Sequence, residues 1–435
     1  MNRKIIKSII ILVISLVLME MTKMASIKME MTTPIKKKVA QVYKSTLECE
    51  AHSCLISNLY VIESRFHLFL DNVDDFQETI VYSGIGQGSW IFIITRDPIK
   101  VNGRNIPVHV HSVAEIPKYA HETRYFTTPI VLFSVLWDNL FRTLYAGAGV
   151  FYSMARFRFY FPDHVQLVLV DDKPTPKGFV SLLQASIDPG PKVMWWDALK
   201  DGVYKGAVIG ISRDVFVEEI TLEKHFDWRF SSRNFAFHSF SERIRKNFRK
   251  NCKKQVRDSK SPKVLLILRT GSKRNILNQQ ELIYALSKLA IQLETSVFSQ
   301  ISLNQQFCLI ESSDIVISLH GAALSHVMFM KSKSFLIEIF PFSFRKTIFN
   351  NLAHIMGVNY LYWQNNRWSN TKTYYNLIES NKLTNMTKER IQMLPIDWYN
   401  MDSKNYWRNQ DTMVDVIFLL IEIVAIIFGC RKNCS

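Results

Sequence analysis

The stretch DIVISLHGAALSHVMFMKSKSFLIEIFPFSF, Asp314 to Phe344, decides the fold. Two apolar runs, Ile315 to Leu319 and Phe335 to Phe340, are strand-like, and the segment between them has a helix-like composition. That order is a parallel βαβ unit. The first strand runs into His320, Gly321, Ala322 and Ala323, small residues where a strand turns into a helix. Such a turn aims free backbone N–H groups and the positive end of a helix dipole beyond the carboxyl edge of the sheet, where a phosphate is the natural guest. Glu338 interrupts the second strand near its own carboxyl end. Open α/β sheets contact ligands there, and a carboxylate can accept both hydroxyls of a ribose. Its other reading is a strand-end carboxylate paired to Arg345.

Working outward, the apolar run Val264 to Leu268 reads as another strand, followed by Arg269 and a turn holding Gly271, Lys273 and Arg274. Two guanidinium groups there can fork onto a diphosphate, or they can bridge to neighbouring helices. Asn278 is expected to cap the next helix, with Glu281 in its first turn. In the first half of the chain, His67 to Leu70, Trp90 to Ile94, Val165 to Val170 and Ala207 to Ile211 are strand-like, and Val135 to Met154 is helix-like. A strongly basic segment, Glu242 to Lys263, separates the halves. It reads as a solvated helix with Ile244, Phe248, Cys252 and Val256 on its apolar side, or as a collar for an acidic acceptor or lipid headgroups.

The wording resembles glycosyltransferase family 61, most closely its animal branch of protein O-mannose β-1,4-N-acetylglucosaminyltransferases. There, too, a strand ending in His-Gly-Ala leads through a helix to a strand ending in Glu and Phe-Pro. Upstream, ILRTGSKRNILNQQEL (Ile267 to Leu282) is similar to that family's strand, arginine turn and helix, and downstream FRKTIFNNLAHIMGVNYLYW (Phe344 to Trp363) to its next helix and strand. Weaker likenesses lie in CEAHSCLISNLYV (Cys49 to Val61) and DNLF (Asp138 to Phe141). The resemblance implies an α/β fold of two Rossmann-like domains facing a cleft, the GT-B arrangement. It implies a nucleotide-sugar donor, UDP-N-acetylglucosamine the best guess, held by Arg269, Arg274, His320, Gly321, Ala322 and Glu338. No obligatory metal is expected. The acceptor would be a hydroxyl on a glycoprotein or glycan.

Length and composition fit that expectation. With 435 residues and 48% hydrophobic content the chain can bury two ordinary cores. The expected organisation is a signal-anchor at 1–24, a stem at 25–48, an acceptor-side α/β domain at 49–241, a basic linker helix at 242–263, and a nucleotide-sugar domain at 264–435 ending in a helix across the junction. A formal charge of +16 favours anionic partners without naming one. Nucleic acid is not expected, because Phe248 alone interleaves the basic run. Arg3, Lys4 and Lys7 precede an apolar run from Ile9 to Met19, which reads as a single-pass type II anchor or a cleaved signal. Either leads to the lumen of the endoplasmic reticulum or Golgi. In an oxidising lumen Cys49 and Cys54 can bridge a short loop, and Asn385 heads a glycosylation sequon.

An inverting transfer also needs a general base on the acceptor side. After an Asn such as Asn139 the resembling family carries a His-Asp type pair, whereas this chain has Tyr145, Ala146 and Gly147. The catalytic residue is therefore unassigned. Asp171-Asp172 resembles a Mn²⁺-binding pair but sits in an ordinary turn composition before Lys173-Pro174. Val414 to Phe428 carries Asp415 and Glu422 on one helical face, which reads as a buried helix with a polar stripe and not a membrane span.

Overall fold

Glu63 and Ser64 both hold positive φ, 50° and 59°, the geometry of a tight two-residue reversal. The chain therefore folds back on itself at its first long strand. A computed structural model describes residues 43–50, 53–83, 91–96, 104–116, 124–135, 139–157, 164–171, 175–211, 232–252, 261–372 and 408–433. The expected anchor, most of the stem, Asp138 and Asn385 lie outside the described residues.

In the first half, β1 (Thr46–Glu50), β2 (Ser53–Ile62), β3 (Arg65–Leu70), β4 (Thr79–Tyr82), β5 (Ile91–Thr95), β6 (Asn105–Ser112), β7 (Tyr125–Phe126), β8 (Ile130–Phe133), β9 (Gln166–Leu169), β10 (Met194–Trp195) and β11 (Gly202–Ile209) form one sheet. Its main path runs β10-β9-β8-β11-β2-β3-β6-β5-β4. Strands β8 to β11 are parallel neighbours, while β2 pairs antiparallel with β11, β3 and β1. This half is a mixed sheet, which corrects the Rossmann-like expectation for it. The cause is local: the reversals at Glu63-Ser64 and between β1 and β2 are too short for a parallel crossover. Cys49 and Cys54 are disulfide-bonded partners across the β1–β2 pair.

Helices α1 (Leu140–Arg156), α2 (Lys177–Ile187) and α3 (Ser232–Phe248) pack on Val131, Phe133, Leu167 and Leu169, while Ile130, Leu132, Val168 and Val170 fill the core on the opposite face. The two-residue period of a strand divides the side chains in this way. Asp171 is buried and pins the end of β8, accepting from Ser134 Oγ at 2.5 Å and from Val135 N at 3.0 Å.

The second half is an all-parallel sheet of β12 (Lys263–Leu268), β13 (Gln292–Val297), β14 (Ile315–Leu319), β15 (Phe335–Phe340) and β16 (Asn359–Gln364), in the order β13-β12-β14-β15-β16. Its connections are α4 (Gln279–Ser287), α5 (Leu303–Ser312), a run of 3₁₀ turns at Ala322–Phe329, and α6 (Ile348–Ile355). A short pair, β17 (Thr371–Lys372) with β18 (Asp411–Thr412), precedes α7 (Val416–Asn433).

The unbroken run at Val264 to Leu268 is apolar throughout because both of its faces are buried. Leu265 and Ile267 enter a core shared with α1 and α3, so the two sheets meet through continuous apolar packing. Val264 and Leu266 enter a separate core closed by Leu282 of α4 and by Leu419, Ile423 and Ile426 of α7. The last helix thus covers the outer face of its own sheet instead of crossing the junction. Among the described residues no helix is long and apolar enough to cross a membrane.

The basic segment also differs from the expected linker. Helix α3 begins ten residues earlier, at Ser232, and its cations gather towards its end, with Arg245 and Lys246 in the last turn. Arg249 and Arg245 engage Glu311 of α5, and Arg243 donates to the carbonyls of Ser186 and Asp188 at the end of α2. Cys252 is disulfide-bonded to Cys308 of α5. These charges clamp one half to the other. Periodicity alone reads such cations as solvated because their acceptors are distant in sequence.

Candidate functional site

The site lies at the carboxyl edge of the parallel sheet. Strand β12 stops at Leu268, and the next residues form an irregular turn in which Arg274 takes φ 61°. A left-handed non-glycine residue is costly and persists only when its surroundings fix it. Here Asn275 N donates to Asp411 Oδ1 at 2.8 Å, its side-chain amide donates to Gly271 O at 2.9 Å, and Thr412 N donates to Asn275 O at 3.0 Å.

The turn brings both guanidinium groups over Gly321. A Cβ at that position would lie 2.9 Å from Arg269 Nη1 and 3.6 Å from Arg274 Nη1, so the missing side chain is what lets the cations converge. The Nε atoms of both are buried without a hydrogen-bond partner. Burial pulls the Arg269 guanidinium below its usual range. Burial first, then the positive charges of Arg269 and Arg408, lowers Arg274 to about 10. Both remain cations at neutral pH, and like charges held together in a desolvated place form a ready anion site.

The segment after Gly321 departs from the expected α-helix. Ala322–Phe329 is a series of 3₁₀ turns whose residues from Leu324 to Phe329 are all buried. His326 Nδ1 lies 2.9 Å from Ala323 O, a local bond that competes with helical pairing. With interior on every side there is no amphipathic stripe to favour a regular helix. The positive potential here comes chiefly from guanidinium groups and less from a helix end.

His320 and Glu338 face each other. His320 Nδ1 donates to Glu338 Oε1 at 2.5 Å, and the Tyr360 hydroxyl donates to Glu338 Oε2 at 2.6 Å. Burial, then the Glu338 charge, raises the Tyr360 pKa and keeps that hydroxyl protonated. Glu338 is fully buried. The expected ribose contact is therefore corrected: both carboxylate oxygens are occupied inside the protein. The alternative pairing with Arg345 is not formed either, because Arg345 stacks over Tyr362 at 3.7 Å and donates to its hydroxyl. His320 packs among Phe340, Phe344 and Phe349. Its side chain positions the strand end that carries Gly321.

A cavity of about 450 Å³ opens beside Arg269. Asn139 and Phe179 of the first half line one wall, and Arg269, Phe298, Gln306 and Ala322 line the other. Among the described residues its lining contains no carboxylate and no imidazole. Asn139 caps α1, accepting from Arg142 N at 3.3 Å. Tyr145, Ala146 and Gly147 are all buried within α1, and a Cβ on Gly147 would run into the Phe240 ring of α3. That part of the helix serves core packing and offers no base.

Three features escaped sequence reading. Asn278 makes no capping bond but staples a later segment, its Oδ1 accepting from Val414 N and its Nδ2 donating to Val414 O, both at 2.9 Å. Arg408 acts electrostatically on both site arginines. Cys252 and Cys308 pair across 56 positions. Each joins residues far apart in sequence, where periodicity is silent. No group of three His, Cys, Asp or Glu residues that could hold a metal ion occurs among the described residues.

Fold and site define a mixed α/β protein with two buried arginines and a cavity at the carboxyl edge of a parallel sheet. The model of the family described as Glycosyltransferase 61 matches residues 100–337, more than half of the chain. The chain belongs to this family. It is similar to an EGF domain-specific O-linked N-acetylglucosamine transferase of Gallus gallus, 29% identical over 105 residues, covering 23% of this chain and 19% of that protein. It is also similar to a protein O-linked-mannose beta-1,4-N-acetylglucosaminyltransferase 2 of Tetraodon nigroviridis, 29% over 121 residues, 25% and 20%. A xylan glycosyltransferase of Arabidopsis thaliana is 30% identical over 110 residues, 24% and 22%. The matched segment spans about a fifth of the length of each of these relatives.

Proposed function

We propose that the protein is a glycosyltransferase in which an all-parallel donor sheet faces a mixed acceptor-side sheet. It moves a sugar, N-acetylglucosamine the best guess, from a UDP-sugar to a hydroxyl of a glycoprotein or glycan. The observation that carries this reading is the pair of buried guanidinium groups meeting over Gly321, of which Arg269 lines the cavity. Its volume falls in the range of small-ligand sites. N-acetylglucosamine is favoured because two of the relatives are named as transferases of that sugar. The disulfides Cys49–Cys54 and Cys252–Cys308 suit an oxidising lumen, in keeping with a type II protein of the endoplasmic reticulum or Golgi.

In this mechanism Arg269 and Arg274 hold the diphosphate and stabilise the negative charge that grows on it as the glycosidic bond breaks. His320 and Glu338 keep Gly321 in place beneath the cations. The acceptor hydroxyl enters from the wall carrying Asn139 and attacks the anomeric carbon from the side opposite the departing UDP, inverting it and releasing its proton to solvent, since no carboxylate or imidazole lines the cavity among the described residues. A second reading, a sugar-nucleotide-binding relative without turnover, is favoured by the cavity lining, which offers no proton acceptor of ordinary strength among the described residues.

The test is turnover. The full chain is incubated with UDP-N-acetylglucosamine and, in separate reactions, an EGF-like domain, an O-mannosyl peptide and a xylo-oligosaccharide. Glycosylated product detected by mass spectrometry supports the transferase. UDP-sugar binding without product in all three would favour the second reading.

A further inference from the structure

Strand β16 is an edge of the parallel sheet, and Tyr360 and Tyr362, two residues apart, share one of its faces. The Tyr360 hydroxyl is spent on Glu338. Tyr362 is 42% exposed, and Arg345 lies over its ring at 3.7 Å while donating from Nη1 to its hydroxyl at 2.9 Å. Helix α7 supplies Phe418, 48% exposed, and Glu422, four residues apart and so on one helical face. Helix α6 supplies Asn350 from its first turn. All of these residues line a cavity of about 290 Å³, which shares no residue with the cavity beside Arg269.

Two of its polar groups are unspent. Asn350 is only 8% exposed, yet among the described residues its side-chain amide makes no hydrogen bond, and the Glu422 carboxylate has neither a hydrogen bond nor an ion pair. An amide enclosed to that degree ordinarily has a partner. A guest in the cavity would supply one.

The walls define the chemistry of that guest. Glu422 disfavours an anion and Arg345 disfavours a cation. A zwitterion would need the guanidinium free, whereas it is stacked on Tyr362 with one nitrogen already engaged. A neutral ring suits the site, with an apolar face for Tyr362 or Phe418 and hydroxyls that donate to Glu422 and exchange hydrogen bonds with the Asn350 amide. A pyranose has that form. We propose that this cavity is a second ligand site, which binds one sugar ring of a glycan away from the two arginines. It stands independently of the donor reading. In a transferase such a hold tethers a glycan acceptor and raises the local concentration of its remaining hydroxyls.

The experiment is ligand-observed saturation-transfer NMR on the full chain with the methyl glycosides of mannose, N-acetylglucosamine and xylose, and with free phenylalanine as the zwitterionic probe. Each is titrated with and without saturating UDP, for wild type, Glu422→Gln and Phe418→Ala, two changes at positions that are not fully buried. The expected result is saturable binding of at least one glycoside, unchanged by UDP, and weakened roughly tenfold in both variants. Binding of none of the glycosides, or of phenylalanine in their place, would overturn the proposal. Wild-type affinity in both variants, or displacement of the glycoside by UDP, would overturn it as well by placing the sugar elsewhere. UDP binding itself decides the donor reading separately, whichever way the glycosides behave.

Discussion

Arg274 illustrates the stability cost of a buried cation on a left-handed backbone. Its guanidinium is drawn down to about 10 by burial and by two neighbouring cations, and its backbone sits at φ 61°. Replacing it with Met keeps the aliphatic stem and removes the charge, so Arg274→Met is expected to raise the thermal midpoint by about 2–4 °C in a melting experiment. His326 works in the opposite sense. It is fully enclosed and burial lowers its pKa to about 4. Above about pH 6.5 the imidazole is neutral in both folded and unfolded chains, and it contributes nothing to the pH dependence. As pH falls from there towards 4 only the unfolded chain takes up the proton, so stability drops at about 1.4 kcal/mol per pH unit for each such histidine. His67, lowered to about 4 chiefly by burial, adds to the same window. Denaturant midpoints measured from pH 7 to pH 4.5 should decline, and His326→Gln should flatten the decline.

Helix α1 shows why an element can match a family pattern in place but not in chemistry. Asn139 still caps it at the cavity wall, yet the residues one turn later are committed to packing against α3. Gly147→Ala would press a methyl group into the Phe240 ring and is expected to cost about 1–3 kcal/mol in chemical denaturation. Strands β14 and β15 were legible to the residue, because a strand buried on both faces is written as a nearly continuous apolar run, broken here by Ser318 and Glu338 alone. The connection between them was not. Its 3₁₀ turns are packed on all sides, a circumstance set by neighbours that local sequence cannot reveal. Glu338 was legible as an exceptional residue in a strand, but not its partner, since Tyr360 enters from the adjacent strand β16.

At the scale of the molecule, the two sheets meet through one continuous core that contains residues of α1 and α3 together with Leu265, Ile267 and Leu336. The clamp of Arg245 and Arg249 on Glu311 and the Cys252–Cys308 bond reinforce that junction. That joint holds Asn139 across the cavity from Arg269, a placement that transfer between two bound substrates would need. We propose that Arg269 and Arg274 bind the diphosphate of a sugar nucleotide. The most direct test of that claim is calorimetric titration of UDP into the full chain and into its Arg269→Met variant. The account predicts saturable binding by the wild type and at least a tenfold weaker affinity in the variant; equal affinity in the two proteins would contradict it.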